Sequence, residues 1–398
     1  MTAPVAGQDA LARALAARLA AGERFFAPEA ERLARLCHRM AERFARGGRL
    51  LAFGRSPAAR SDARHVAVEF VHPVIVGKRA LPAMALASEG GALATQADLI
   101  AEPDDIAIAF EADDPETAAA LELAARRGCL TLAFAPAVAE WVFEPPGDPF
   151  VRQEIVETTY HVLWELVHVF FDHRGLLEGR TARTVHDPGA SSFLYPFLSE
   201  RETDLDAVVQ DVRASVLMKA RETAGLREQT LVDNAAGLAA AAADLRASFA
   251  ARGRLLALGN GGSATDAMDA VGDFRTPLAG GPARPALDLT EDAAILTAIA
   301  NDIGPEAIFA RQLIAYARPG DVLLTLSTSG TSRSVIDALV EARRRDVRTI
   351  AMVGYDGGRV AAEGLADHVI ITRSEHIPRI QEAQASAYHV LRALVEER

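Results

Sequence analysis

Gly253-Arg254-Leu255-Leu256-Ala257-Leu258-Gly259-Asn260-Gly261-Gly262-Ser263 is the stretch on which the reading of the fold turns. A short apolar run, unbroken by polar residues and closed by glycine, is the pattern of a strand buried on both faces of a parallel sheet. The glycines that follow let the backbone turn sharply into a helix and approach a ligand closely. The same run occurs earlier as Gly48-Arg49-Leu50-Leu51-Ala52-Phe53-Gly54. Two more pairs match. Asp62-Ala63, Glu69-Phe70 and Pro73 echo Asp266-Ala267, Asp273-Phe274 and Pro277, and Gln153-Glu154 with Tyr160-His161-Val162-Leu163 echoes Gln381-Glu382 with Tyr388-His389-Val390-Leu391. Self-similarity on this scale reads as two copies of one domain.

The length of 398 residues agrees, since it exceeds one ordinary core and suits two. The spacing predicts a first domain over 1–175, a linker over 176–200 and a second domain over 201–398. Each half opens with amphipathic helix, Pro28 to Arg46 and Leu231 to Arg252, before its first strand. In the second half, strands are expected at Leu255 to Leu258, Val322 to Leu326, Thr349 to Val353 and His368 to Ile371, with helices such as Ser334 to Arg345 between them. Strands that alternate with helices predict an α/β fold: two tandem doubly wound domains, each a parallel sheet in a three-layer α/β/α sandwich.

The composition excludes several classes. Half the residues are apolar and 24% charged, the balance of a folded chain. The net charge of −12 disfavours nucleic acid and anionic membranes, so any anion has to be captured by a local site. Cys37 and Cys129 stand alone, which excludes a disulfide scaffold and a thiolate zinc site and suggests a reducing compartment. Arg13 and Arg18 interrupt the apolar N-terminal stretch, so neither a signal peptide nor a spanning segment is expected and the chain is read as cytoplasmic.

Two loops of the second half have the chemistry of anion cradles. The first, Gly259 to Ser263, also satisfies the dinucleotide pattern through Gly259, Gly261 and Ala264, which leaves a nicotinamide-dependent dehydrogenase open. The second, Ser327-Thr328-Ser329-Gly330-Thr331-Ser332, carries a hydroxyl at every position but one as it enters a helix. One such side chain would suffice as a helix cap. The surplus points to a phosphate or similar anion held by hydroxyls and helix-terminal amides together. In the first half, Glu111-Ala112-Asp113-Asp114 stands opposite Ser327 to Gly330, and carboxylates there repel the anion.

Together with Ala300-Asn301-Asp302, Phe309-Ala310-Arg311-Gln312, Gly320-Asp321-Val322-Leu323, Arg379-Ile380-Gln381-Glu382 and His389, these loops resemble the bacterial phosphoheptose isomerases of the sugar isomerase (SIS) domain class. The resemblance covers most of residues 231–398. It implies a flavodoxin-like domain in which Ser263, Ser327, Thr328, Ser329 and Ser332 hold a sugar phosphate, with Asn260, Asp302 and Gln381 near the sugar. It implies aldose–ketose interconversion of a sugar phosphate of the sedoheptulose 7-phosphate type, with active sites where subunits meet and a homodimer of four domains. In that family a glutamate on the first helix and a histidine on the last are acid and base, which suits a proton moved between neighbouring carbons.

Those positions map onto both halves. His389 and Asp273 are the candidate acid/base pair of the second half, where Asp269 and Asp273 replace the family's His and Glu. Glu69 and His161 are the corresponding pair in the first. No cofactor is demanded by the residues, but some family members bind a metal, and His65, Glu69, Gln153 and His161 match that ligand set, which suits zinc. The acidic loop and the two aspartates keep a non-catalytic sugar-phosphate sensor in view.

Overall fold

The computed structural model describes residues 6–74, 78–87, 90–172, 177, 204–276 and 281–397. Apart from Leu177, the expected linker at 176–200 lies outside the described residues, as does Pro277 of the repeat. The chain divides into two compact units, Ala20–Arg221 and Met1–Leu19 with Glu222–Arg398.

The N-terminal unit contains most of α1 (Ala6–Ala45), then β1 (Leu50–Phe53), α2 (Pro57–Val71), β2 (Ala83–Leu86), α3 (Leu93–Ile100), β3 (Ile106–Ala109), α4 (Pro115–Arg126), β4 (Leu130–Ala133), β5 (Trp141–Val142), α5 (Pro149–Asp172) and the start of α6 (Leu205–Asp233). The C-terminal unit continues with α7 (Ala235–Ala250), β6 (Leu255–Leu258), α8 (Gly262–Arg275), β7 (Ala286–Asp288), α9 (Ala293–Asp302), α10 (Ile308–Tyr316), β8 (Val322–Ser327), α11 (Arg333–Arg344), β9 (Arg348–Gly354), α12 (Gly358–Ala362), β10 (His368–Thr372) and α13 (Ile377–Glu396). Two long helices are divided between the units. Leu11 of α1 is buried in the C-terminal core with Ala14 and Leu15 against it, while Val208, Val209, Val212 and Val216 of α6 are buried in the N-terminal core.

Each unit has one five-stranded sheet, ordered β2-β1-β3-β4-β5 and β7-β6-β8-β9-β10, with every pairing parallel. This is the doubly wound, flavodoxin-like order. The strands are as apolar as the sequence requires: all four residues of β1 and of β6 are buried. The equivalence of the units extends to a buried ion pair. Asp105 accepts from the Arg49 guanidinium at 2.7 Å and from the Arg49 amide at 2.7 Å, as Asp321 accepts from the Arg254 guanidinium at 2.6 Å and from its amide at 2.9 Å. In both units the pair ties the entry of the first strand to that of its neighbour.

Two helix boundaries differ from expectation. The reading that a helix begins at Pro28 is corrected, because α1 continues through that proline. An internal proline costs about 3 kcal/mol, and burial of Phe25, Phe26, Ala30 and Leu33 around it offsets that. The expected helix Leu231 to Arg252 is broken at Asn234, whose side chain donates to the Thr230 and Ile371 carbonyls at 2.7 and 3.0 Å and accepts from the Ile371 amide at 3.0 Å. The break thus serves edge strand β10. Among the described residues no helix is long and apolar enough to cross a membrane.

Candidate active site

Between β6 and β8 the strand order reverses, and in an open parallel sheet the loops leaving such a pair of carboxyl ends diverge and open a crevice. The register Leu258↔Thr325 sets the two loops of interest side by side there. Gly259 is required by contact, since a Cβ on it would lie 2.1 Å from the Ser263 carbonyl oxygen. Gly330 has φ +60, and a Cβ there would lie 2.3 Å from the Gly357 carbonyl oxygen.

Hydroxyls converge across this crevice. Asn260 Nδ2 donates to Ser332 Oγ at 3.0 Å and to Ser334 Oγ at 3.1 Å, which ties the glycine loop to the serine loop. Ser327 Oγ accepts from the Gly330 amide at 3.2 Å, and Ser329 Oγ from the Thr331 hydroxyl at 3.1 Å. Ser263 and Ser327 are buried, Thr328, Ser329 and Ser332 half-buried. Ser332 is the N-cap residue of α11, yet its side chain makes no capping bond, and neither does Gly261 at the start of α8. Two helix N-termini therefore meet the crevice without a side-chain cap, each with the partial positive charge of its dipole.

The matching crevice of the N-terminal unit is self-occupied. Glu111, at φ +54, accepts from the Ser56 amide at 3.2 Å, and Asp114 caps α4 by accepting from the Glu116 and Thr117 amides at 3.1 and 3.0 Å. The Thr117 amide holds the Asp114 carboxyl below its usual range. Arg55 adds contacts to Asp114 at 3.4 Å and Glu116 at 3.1 Å.

Below the C-terminal cradle, α13 packs against α7 and α8 and is buried along nearly its whole length. His389 Nε2 lies 3.3 Å from Asp269 Oδ2 and 3.5 Å from Asp273 Oδ2. His389 and Asp273, the pair expected from the sequence, are thus brought together. Gln381 is buried on the same helix. Asp302 is not brought into the cradle by any bond among the described residues. It ends the exposed helix α9, and its carboxylate accepts from Asn301 at 2.7 Å.

In the N-terminal unit, α2 and α5 bring His65, Glu69 and His161 together. The His65 and His161 Nε2 atoms are 3.4 Å apart, and Glu69 Oε1 is 3.9 Å from the former. All three residues are buried, and burial, with the neighbouring His161, pushes the His65 imidazole well below its usual range, so it is neutral near pH 7. Ligand atoms of the three lie within 4.8 Å of one another. Gln153, the fourth expected ligand, is half-buried two turns earlier on α5.

Sequence reasoning missed three roles. Gln384, buried on α13, sends Nε2 to within 3.5 Å of the Ser327 carbonyl and so links that helix to the cradle. Tyr388 donates to Asp269. Of the Arg379-Ile380-Gln381-Glu382 motif, Arg379 and Glu382 form a buried ion pair that Thr223 of α6 joins by donating to Glu382 at 2.6 Å. Their role is to anchor α13.

The SIS domain family matches residues 220–354. The phosphoheptose isomerase of Chlorobium phaeobacteroides is 43% identical over 197 residues, 48% of this chain and 84% of that protein. That of Geobacter sulfurreducens is 46% identical over 168 residues, 41% of this chain and 86% of that protein. The tagatose-6-phosphate ketose/aldose isomerase of Escherichia coli superposes with a TM-score of 0.57 over 99% of this chain and 95% of that one, at 15% identity, a likeness of fold. Through its C-terminal half, the chain belongs to the SIS-domain family of phosphoheptose isomerases.

Proposed function

We propose that this phosphosugar isomerase acts on a linear ketose phosphate of the sedoheptulose 7-phosphate type, held in the C-terminal crevice. The observation that carries the reading is Ser332, an N-cap residue whose hydroxyl is bonded to Asn260 and does not cap its helix. The phosphate takes the amides at the starts of α8 and α11 together with hydroxyls of Ser263, Ser327, Thr328, Ser329 and Ser332. Asn260 and Gln381 face the sugar, and Asp302 is proposed to join them once sugar is bound. About 7.5 Å of helix rise separates Gln384, under the cradle, from His389, which leaves room for a carbon chain between anchor and chemistry.

Isomerisation requires one group to take the proton from the hydroxyl-bearing carbon while another protonates the carbonyl oxygen, giving an enediol. A second pair of transfers then takes the proton from the hydroxyl of the first carbon and delivers one to the former carbonyl carbon. Asp273 and His389, a carboxylate and an imidazole in contact, supply such a pair. Incubation with sedoheptulose 7-phosphate in deuterium oxide tests this. Deuterium entering C1 or C2, and lost in His389→Gln, supports it, whereas binding without exchange favours a sugar-phosphate sensor.

We further propose zinc at His65, Glu69 and His161, with Gln153 as the fourth ligand. Two imidazoles and a carboxylate are a donor set that suits zinc. When bound, the ion supplies a Lewis acid. Metal analysis of the purified protein should find zinc that His161→Ala releases. The two units are proposed to descend from a tandem duplication, and two cytoplasmic chains to associate as a four-domain dimer that engages neither nucleic acid nor membrane.

A further inference from the structure

Asp269 stands where the resembled family has a histidine, and from sequence it is a lost ligand. Its surroundings say otherwise. The Tyr388 hydroxyl donates to Asp269 Oδ2 at 2.8 Å, and His389 Nε2 approaches the same oxygen at 3.3 Å. Asp269, Tyr388 and His389 are 1%, 4% and 0% exposed. The other oxygen, Asp269 Oδ1, makes no hydrogen bond among the described residues, so Oδ2 takes both contacts. The Tyr388 and His389 rings meet edge to face at 4.6 Å.

Neighbouring residues of a helix point about 100° apart, so Tyr388 and His389 converge on one oxygen only because α8 places Asp269 between them. Phenylalanine would fill the same volume. The hydroxyl of Tyr388 adds a fixed donor, which selects one rotamer of the carboxylate and takes up part of the charge on Oδ2. His389 Nε2 is left nearly equidistant from Asp269 and Asp273, at 3.3 and 3.5 Å. Arg392, a buried charge on the helix of His389, is directed elsewhere, to the Asp273 carbonyl and to Glu396.

We infer that Asp269 and Tyr388 are positioning residues: Tyr388 fixes Asp269, and Asp269 takes the proton on His389 Nε2 and so fixes the imidazole beside Asp273. The inference rests on the acid/base reading of His389 and Asp273. It recasts the family-foreign aspartate as a partner gained.

The test uses Tyr388→Phe and Asp269→Asn, which keep the shapes of the side chains, in the full chain. With sedoheptulose 7-phosphate, kcat is expected to fall about tenfold in the first and about a hundredfold in the second, with KM within about twofold of wild type. In proton NMR the imidazole Nε2–H resonance, identified by its absence in His389→Gln, should shift in Tyr388→Phe and vanish in Asp269→Asn. Wild-type turnover in both variants, a change in KM alone, or an unmoved resonance would overturn the inference. Should wild-type protein turn over no phosphosugar, the acid/base reading fails while the resonance still decides whether Asp269 and Tyr388 hold the ring.

Discussion

The loop after β3 and the loop after β8 leave equivalent strands of equivalent sheets, yet one is filled by the chain's own carboxylates and the other is bordered by hydroxyls. Glu111 takes the Ser56 amide and Asp114 takes the amides that open α4. Opposite them, Ser332 leaves the start of α11 without a side-chain cap. The same need, to satisfy the donors of a helix N-terminus, is met by an acidic side chain in one unit and, on the proposed reading, by a ligand in the other. The lesson is that the fold accepts a carboxylate at the helix start where its other copy carries hydroxyls.

The comparison is broken most sharply by moving the N-terminal chemistry into the C-terminal loop. Ser329→Asp places a carboxylate where a phosphate is proposed, and two like charges about 4 Å apart repel by about 4 kcal/mol at an effective dielectric of about 20. Affinity for sedoheptulose 7-phosphate, measured by calorimetry at fixed salt, should fall at least about 100-fold.

A smaller effect separates capping from binding. Asp114→Ala removes a cap and should lower the stability of the N-terminal unit by about 1 kcal/mol in denaturant unfolding. Ser332→Ala removes no cap, so unfolding of its unit should stay within about 0.5 kcal/mol of wild type while sugar-phosphate binding weakens. Equal costs in the two variants would remove the distinction.

A further effect concerns pH. Both ring nitrogens of His168 face backbone carbonyls, of Trp164 at 2.8 Å and Arg79 at 3.1 Å, and burial pushes the imidazole down to about 4. An unfolded histidine titrates near about 6.5. The neutral ring is therefore favoured on folding: its contribution is complete above about pH 6.5 and is lost as pH falls toward about 4. Melting of the N-terminal unit should drop across that window, and His168→Gln should flatten the slope.

Much of this was legible in sequence. Leu50 to Phe53 and Leu255 to Leu258 announced buried parallel strands because such strands are apolar without interruption. The serine loop stood out because its hydroxyls exceed what a cap needs, and it does lie beside the glycine loop. Pro28 misled, since its local preference was outweighed by packing from distant residues. Asn234 looked like helix because its partner, Ile371, is far along the chain. Asp269 looked like a defect for the same reason, since Tyr388 lies 119 positions further along the chain. That Ser332 does not cap its helix was illegible too, since the same residue type caps α2 through Ser56.

The central claim is that one unit binds sugar phosphate and the other has filled its own site. Calorimetric stoichiometry of sedoheptulose 7-phosphate on the purified full-length chain tests it most directly. One molecule per chain is expected; two per chain, or none, would rule it out.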